Sequence, residues 1–183
     1  MPDEFAFAVK APRAITHELR LTQTGAALDA FLAEVSGLTE KLGPLLFQLP
    51  PKLAFDLRMA QAFFTDLRAR FQGTVVCEPR HKDWFTPVAD DLLQEFCIAR
   101  VAADPSVVPA AAIPGGCRNL DYFRLHGSPR MYYSDYDDGR LEGLAAQLIA
   151  SDDHARWCIF DNTADDAAIS NALKLKRLVG AQP

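Results

Sequence analysis

The sequence predicts an α/β fold with a parallel sheet, and three observations carry that prediction. Six short apolar runs recur along 183 residues. Amphipathic stretches of helical period lie between most of them. The runs are apolar almost throughout, as strands covered on both faces are, rather than alternating like a half-wet sheet. Strand–helix alternation of this kind lays strands side by side in one direction, with helices across their faces.

In chain order the runs are FAFAV (5–9), PLLFQL (44–49), TVVCE (74–78), IARVAAD (98–104), YFRLH (122–126) and WCIFDN (157–162). Segment 16–40 is expected to be helical. A second helix opens at Asp56, whose side chain suits a helix N-cap, and carries Leu57, Ala60, Phe64, Leu67 and Phe71 on one stripe. Thr86–Pro87 starts a third through Phe96, with proline at the favoured first position. Residues 105–120, rich in Pro, Gly and Ala, read as a long loop. Leu141, Leu144, Ala145, Leu148 and Ile149 recur at helical spacing. Thr163, with Asp166 three residues on, resembles a capping box for a last helix ending near Gly180.

The stretch DYFRLHG (121–127) sits awkwardly in this scheme. Phe123 and Leu125 point one way, and Tyr122, Arg124 and His126 the other. A guanidinium in a buried strand must be paired or aimed at a wet cavity. The other runs supply the context, because each finishes on a polar group: Lys10, Gln48, Glu78, Asp104, His126, and the pair Asp161–Asn162. In α/β folds ligands bind at the carboxyl ends of the strands. Arg124 and His126 are therefore expected to face a polar mouth, with Glu78 and Asp104 as partners for Arg124. A purely structural Arg–carboxylate network is the competing reading, and solvated strand ends account equally well for Lys10 and Asp161.

Composition narrows the function classes. Hydrophobic residues make up 49% and charged residues 23%, the balance of an ordinary globular domain rather than a disordered chain. A net charge of −5 gives no general attraction to nucleic acid or anionic membrane. No run approaches the roughly 18 apolar residues of a membrane span, and the opening residues lack a signal-peptide layout. Cys77, Cys97, Cys117 and Cys158 lie far apart with no C-x-x-C pair, which points to buried reduced thiols in a cytoplasmic protein rather than disulfides or a metal site. No dinucleotide fingerprint, P-loop, nucleophile elbow or H-E-x-x-H motif is present, so no cofactor is expected.

The polar strand ends suggest the chemistry of a mouth. Lys10, Arg80 and Arg124 are cationic donors, arginine being suited to gripping carboxylate or phosphate bidentately. Glu78, Asp104, His81 and His126 are proton carriers or metal ligands. In EPRHKDWF (78–85), proline forces an extended exit from the strand and sets Arg80, His81 and Trp84 on the following loop. Trp84 is expected to staple the next helix, and His81 to contact substrate. Tyr133 and Tyr136 are candidates to cap the mouth beyond Gly127.

At these residues the chain resembles the YecE-like proteins, the domain-of-unknown-function family seventy-two. FAFAVKAPRAITHE, EKLGPLLFQLPP, EPRHKDWF, YFRLHG and NTADDAAISNALKL carry the likeness, in order from about residue 3 to 179. It implies a TIM-like (β/α) barrel of unestablished activity. It also places the family's strand-end positions on Lys10, Thr16, His17, Gln48, Glu78, Arg80 and His81. Further along they fall on Trp84, Asp104, Arg124, His126, Gly127, Tyr136 and Asn162. Asp161 stands where the family commonly has asparagine. The family's opening strand motifs of Gly-Trp-Tyr and Asn-x-Thr-Phe-Tyr type do not appear. A full barrel takes about 250 residues, whereas six runs in 183 residues give roughly 30 per unit. We therefore expect an incomplete barrel of about six strand–helix units lacking the first two, a single domain over residues 1–183. Its open strand edges would invite a second copy of the chain.

Three functional readings remain open. In the first, an enzyme or binder takes a small anionic or sugar-like ligand, using Glu78, Asp104, His126 and His81 as proton carriers. Lys10, Gln48, Arg80, Arg124, Tyr136 and Asn162 hold the ligand. In the second, Glu78, Asp104 and His126 hold a divalent metal for phosphoester hydrolysis, with nucleic acid among the candidate substrates in spite of the acidic surface. In the third, the chain is a non-catalytic remnant or binding module.

Overall fold

The computed structural model describes residue 2, residues 5–150 and residues 154–180. The strands are β1 (Phe7–Lys10), β2 (Leu42–Gln48), β3 (Val75–Glu78), β4 (Ile98–Arg100), β5 (Ala102–Asp104), β6 (Gly115–Gly116), β7 (Leu120–Leu125) and β8 (Ala155–Phe160). The helices are α1 (Gly25–Ser36), α2 (Leu57–Arg70), α3 (Pro87–Glu95), α4 (Asp138–Ala150) and α5 (Ala167–Gly180). The chain divides into two compact units, Met1–Arg100 with Gly115–Cys117, and Val101–Pro114 with Arg118–Pro183.

The first unit holds a sheet of order β1-β2-β3-β4-β6, parallel except for the β4–β6 pair. Period two decides which residues meet the helices. Leu45, Phe47, Val75, Cys77 and Ile98 join the core with α1, α2 and α3. Leu46, Val76 and Ala99 are buried on the opposite face. Register carries Lys10 beside Leu46 and Gln48 beside Glu78, so all three polar strand ends share that opposite face.

Each helix starts where the chain supplies a cap. The Asp56 carboxylate accepts from the Met59 N–H at 2.8 Å, and the Thr86 hydroxyl accepts from Ala89 ahead of Pro87 at the first turn. The buried face of α2 is Ala60, Phe63, Phe64 and Leu67, with Leu57 of the expected stripe exposed, and it delivers Phe63 and Phe64 into an edge-to-face chain with Phe47, at centroid distances of 5.5 Å and 5.3 Å. Truncating such a ring to alanine costs about 3–5 kcal/mol.

The segment expected as one helix over 16–40 is two pieces. Ala14–Glu18 form a single wide turn closed by Leu19 N–H to the Ala14 carbonyl at 2.9 Å, and α1 starts only at Gly25. Between them Arg20, Leu21 and Gln23 adopt left-handed backbone, through which no α-helix can run, and Leu21 is buried there as an anchor.

The second unit holds the all-parallel sheet β5-β7-β8. Ala102, Phe123, Leu125, Leu141, Leu144 and Leu148 make its helix-side core with Cys158 and Phe160 packed against it. The run 98–104 is divided at Val101, β4 pairing with β3 and β5 with β7. The last helix begins at Ala167, later than the capping box suggested, because Asp166 is left-handed at φ +57° and its N–H closes a turn onto Thr163 O.

Candidate functional site

Three of the expected strand-end residues, Lys10, Gln48 and Glu78, are the last residues of β1, β2 and β3. Lys10 Nζ donates to Gln48 Oε1 at 3.2 Å. Glu78 is fully buried and meets the Arg80 guanidinium at 2.6 Å, Arg80 returning from the loop two residues on. Proline between them makes this possible, since it carries the chain straight out of the strand. His81 stays in its own loop, where Nδ1 accepts from the Asp83 N–H at 3.3 Å. Trp84 is wholly buried, donates to the Leu53 carbonyl at 2.9 Å and packs edge-on against Phe55. These contacts tie Trp84 to the segment between β2 and α2. On the wide turn, Thr16 Oγ1 lies 2.8 Å from His17 Nδ1, and burial, then Arg13 and Lys10, pull the His17 imidazole below its ordinary range.

In the second unit Arg124 and His126 project from the face opposite the helices, as alternation required. Their carboxylate is Asp161: Arg124 Nη2 lies 2.7 Å and His126 Nδ1 2.9 Å from the same oxygen, Oδ2. A carboxylate only accepts, so His126 carries its hydrogen on Nδ1. Arg124 and His126 are buried, whereas the Asp161 side chain is 34% exposed. Register explains the choice. Arg124 aligns with Ala103 and Ile159, which puts Asp161 two residues further along β8 on its face.

Asp104 is the correction. It aligns with Leu125 on the helix side, and there its Oδ2 accepts from Arg140 Nη2 at 3.0 Å and Nε at 3.2 Å. The expected Asp104–Arg124 partnership is replaced by one with α4. Tyr136 is buried nearby. Its hydroxyl donates to the Asp104 carbonyl at 3.4 Å and accepts from the Gly127 N–H at 2.9 Å, while burial, then the Asp104 charge, hold the phenol far above its ordinary range. Gly127 sits at φ +90°, and a Cβ there would lie 3.2 Å from Arg130 O and Asn162 Cβ. Asn162 donates to Ser134 O at 3.0 Å and to Asn171 Oδ1 at 2.9 Å. It thus fastens the loop after β7 instead of facing open space. Asp104, Ser128, Asp135, Tyr136, Asp137 and Arg140 line most of a cavity of about 380 Å³ beyond the ends of β5 and β7.

Sequence reasoning missed Arg140, Asn171 and the role of Asp161. Arg140 had a signal: a cation in a helix's first turn opposes the helix dipole, so something else must hold it there. Asn171 had one too, as an amide on the buried stripe of the NTADDAAISNALKL helix. His154, with no partner near it in sequence, meets the buried Asp121 at 2.9 Å. Among the described residues no three His, Cys, Asp or Glu side chains are grouped to hold a metal ion, and no helix is long and apolar enough to cross a membrane.

A family model, "Protein of unknown function DUF72", matches residues 1–183. The chain belongs to the DUF72 family. Two solved structures described as DUF72 family proteins share the fold. The one from Thermotoga maritima has a TM-score of 0.82 at 23% identity, over 98% of this chain and 75% of that one. The one from Enterococcus faecalis has a TM-score of 0.80 at 20% identity, over 100% of this chain and 77% of that one. No curated protein matches. The YecE-like likeness is thus the DUF72 likeness, and it fixes the family and a mixed α/β fold with parallel sheets.

Proposed function

We propose that this DUF72 chain binds a small ligand bearing carboxylate, phosphate or sugar hydroxyls at the C-terminal ends of β5, β7 and β8. One observation carries the reading: a solvent-facing carboxylate, Asp161, is gripped on one oxygen by a buried guanidinium and a buried imidazole. A purely structural ion pair gains little from an exposed carboxylate. A ligand site gains a hydrogen-bond acceptor for the hydroxyls of a sugar acid or sugar phosphate, held in one position by rigid strand ends. If the ligand is turned over, Asp161 and His126 are the proton carriers in this unit, with Nε2 the imidazole's acceptor. In the first unit Glu78 is the carboxylate and Arg80 its clamp, and Lys10 with Gln48 presents further polar groups. The fold that we propose with this reading is an incomplete TIM-like (β/α) barrel of about six units. Strand–helix succession and the likeness to the two solved family members support it, and the β1 and β8 sheet edges would suit a second copy of the chain.

The cavity beside Asp104 and Arg140 favours a second placement of the ligand, since its volume is in the range of small-molecule sites. The metal-dependent phosphoesterase is the weaker reading, because Asp104 is already bound by Arg140. Titration calorimetry against sugar acids, sugar phosphates and dicarboxylates tests the proposal. Asp161→Asn should weaken binding about 10- to 100-fold, with Arg140→Gln leaving it nearly unchanged. The reverse pattern moves the ligand to the cavity, and no binding by any of the three classes refutes the reading.

A further inference from the structure

We propose that Cys97 and Cys117 form an oxidation site that closes to an intramolecular disulfide with hydrogen peroxide as the oxidant. Their sulfurs lie 2.9 Å apart, with Cys97 exposed and Cys117 half-buried. Unlike Cys77 and Cys158, which lie within strands, both residues sit just outside regular elements, Cys97 after α3 and Cys117 after β6.

Two separate backbone devices hold the sulfurs together. On one side β6 pairs antiparallel with β4, Gly116 opposite Ala99, and the Cys117 N–H donates to the Ile98 carbonyl at 2.9 Å. Gly116 sits at φ +61°, where a Cβ would lie 2.5 Å from Ile98 O, so the approach of β6 depends on glycine. On the other side Cys97 turns out of α3 in left-handed backbone at φ +51°, its N–H donating to Gln94 O at 3.0 Å. Arg68 then clamps this turn, donating from Nε to Phe96 O and from Nη2 to Cys97 O, each at 2.8 Å. The thiols are therefore presented by paired backbone, not by two loose loops.

Arg68 also supplies favourable charge, since its guanidinium interacts electrostatically with both sulfurs and a neighbouring cation favours thiolate. The Cys117 sulfur, then burial, oppose this and hold the Cys97 thiol above its ordinary range. One proton leaves the pair, and the thiolate attacks a peroxide oxygen. An S–O bond forms, the O–O bond breaks, and hydroxide leaves and is protonated to water. The second sulfur attacks the sulfenic sulfur, the S–S bond forms, the S–O bond breaks, and a second water departs. Two thiols and one hydrogen peroxide become one disulfide and two waters. The bond would join the two ends of the stretch in which the chain leaves the first unit after Arg100 and returns at Gly115. The other two cysteines are internal controls: Cys77 is fully buried, and burial pushes the Cys158 thiol up to about 12.

The test is peroxide treatment of the full chain, followed by thiol counting under denaturing conditions and mass mapping of a digest. Half of the four thiols should disappear. A peptide pair joined through Cys97 and Cys117, lighter by two hydrogens, should appear and be released by dithiothreitol. Cys97→Ser and Cys117→Ser should each abolish that pair and leave the remaining cysteine as a sulfenic acid that dimedone traps. Retention of all four thiols, equal consumption of Cys77 and Cys158, or a cross-link between two chains overturns the proposal.

Discussion

Glu78 ends β3 and Asp161 directly follows β8, and their burial is arranged in opposite ways. In the first unit the carboxylate is inside, at 0% exposure, and its arginine partner is barely less buried at 8%. In the second unit the guanidinium and the imidazole are inside and the carboxylate looks out. A buried pair is retained chiefly because either member alone is so costly. A carboxylate backed by a buried guanidinium and a buried imidazole is held still while remaining reachable, which is the arrangement that a ligand can use. The two strand ends therefore look alike in sequence and differ in what they lose when broken.

Four experiments test that contrast. The largest effect should come from Arg80→Met, which strips the buried Glu78 of its 2.6 Å partner. We expect a loss of about 2–3 kcal/mol in urea unfolding, since a charged donor is removed from a buried carboxylate that keeps other interactions. Asp161→Asn should cost only about 1–2 kcal/mol, because water reaches this end of the network. If it destabilises as much as Arg80→Met, the two sites are equally structural and the contrast fails.

Tyr136→Phe removes the hydroxyl that joins Gly127 to Asp104 and should cost about 1 kcal/mol at neutral pH. It should also change the alkaline limb. Burial and the Asp104 charge raise the folded phenol above the ordinary value of 10.0, so below that pH both folded and unfolded forms keep the proton. Above it the unfolded chain loses the proton first, and stability falls as pH rises. The fall attributable to this group should vanish in the phenylalanine variant, as melting scans above pH 10 would show. Smallest of all, Gln48→Ala should cost about 0.5 kcal/mol or less, since the Lys10–Gln48 hydrogen bond is exposed.

Much of the fold was readable because its signals are local. The Asp56 and Thr86–Pro87 helix starts, the α2 stripe and the polar last residues of β1, β2, β3 and β5 depend on neighbours only a few positions away. The misreadings share the opposite property. Residues 19–24 look helical in pattern, but the buried Leu21 holds a left-handed turn that propensity alone would not select. Val101 interrupts a run whose only interior charge is Arg100, and neither residue type marks the end of a strand. Asp104 was assigned to Arg124 on charge alone, when the register of β5 against β7 turns it towards α4.

From its own residues the chain determined the strand–helix succession, the family, and the fact that ionisable groups gather where strands finish, because side-chain period and capping chemistry act over a few positions. Tertiary structure decided the pairings: Asp161 with Arg124 and His126, Asp104 with Arg140, Cys97 with Cys117. The reason is geometric. A shift of one residue in strand register turns a side chain to the other face of a sheet, and register is set by packing across whole elements rather than by neighbours in the chain.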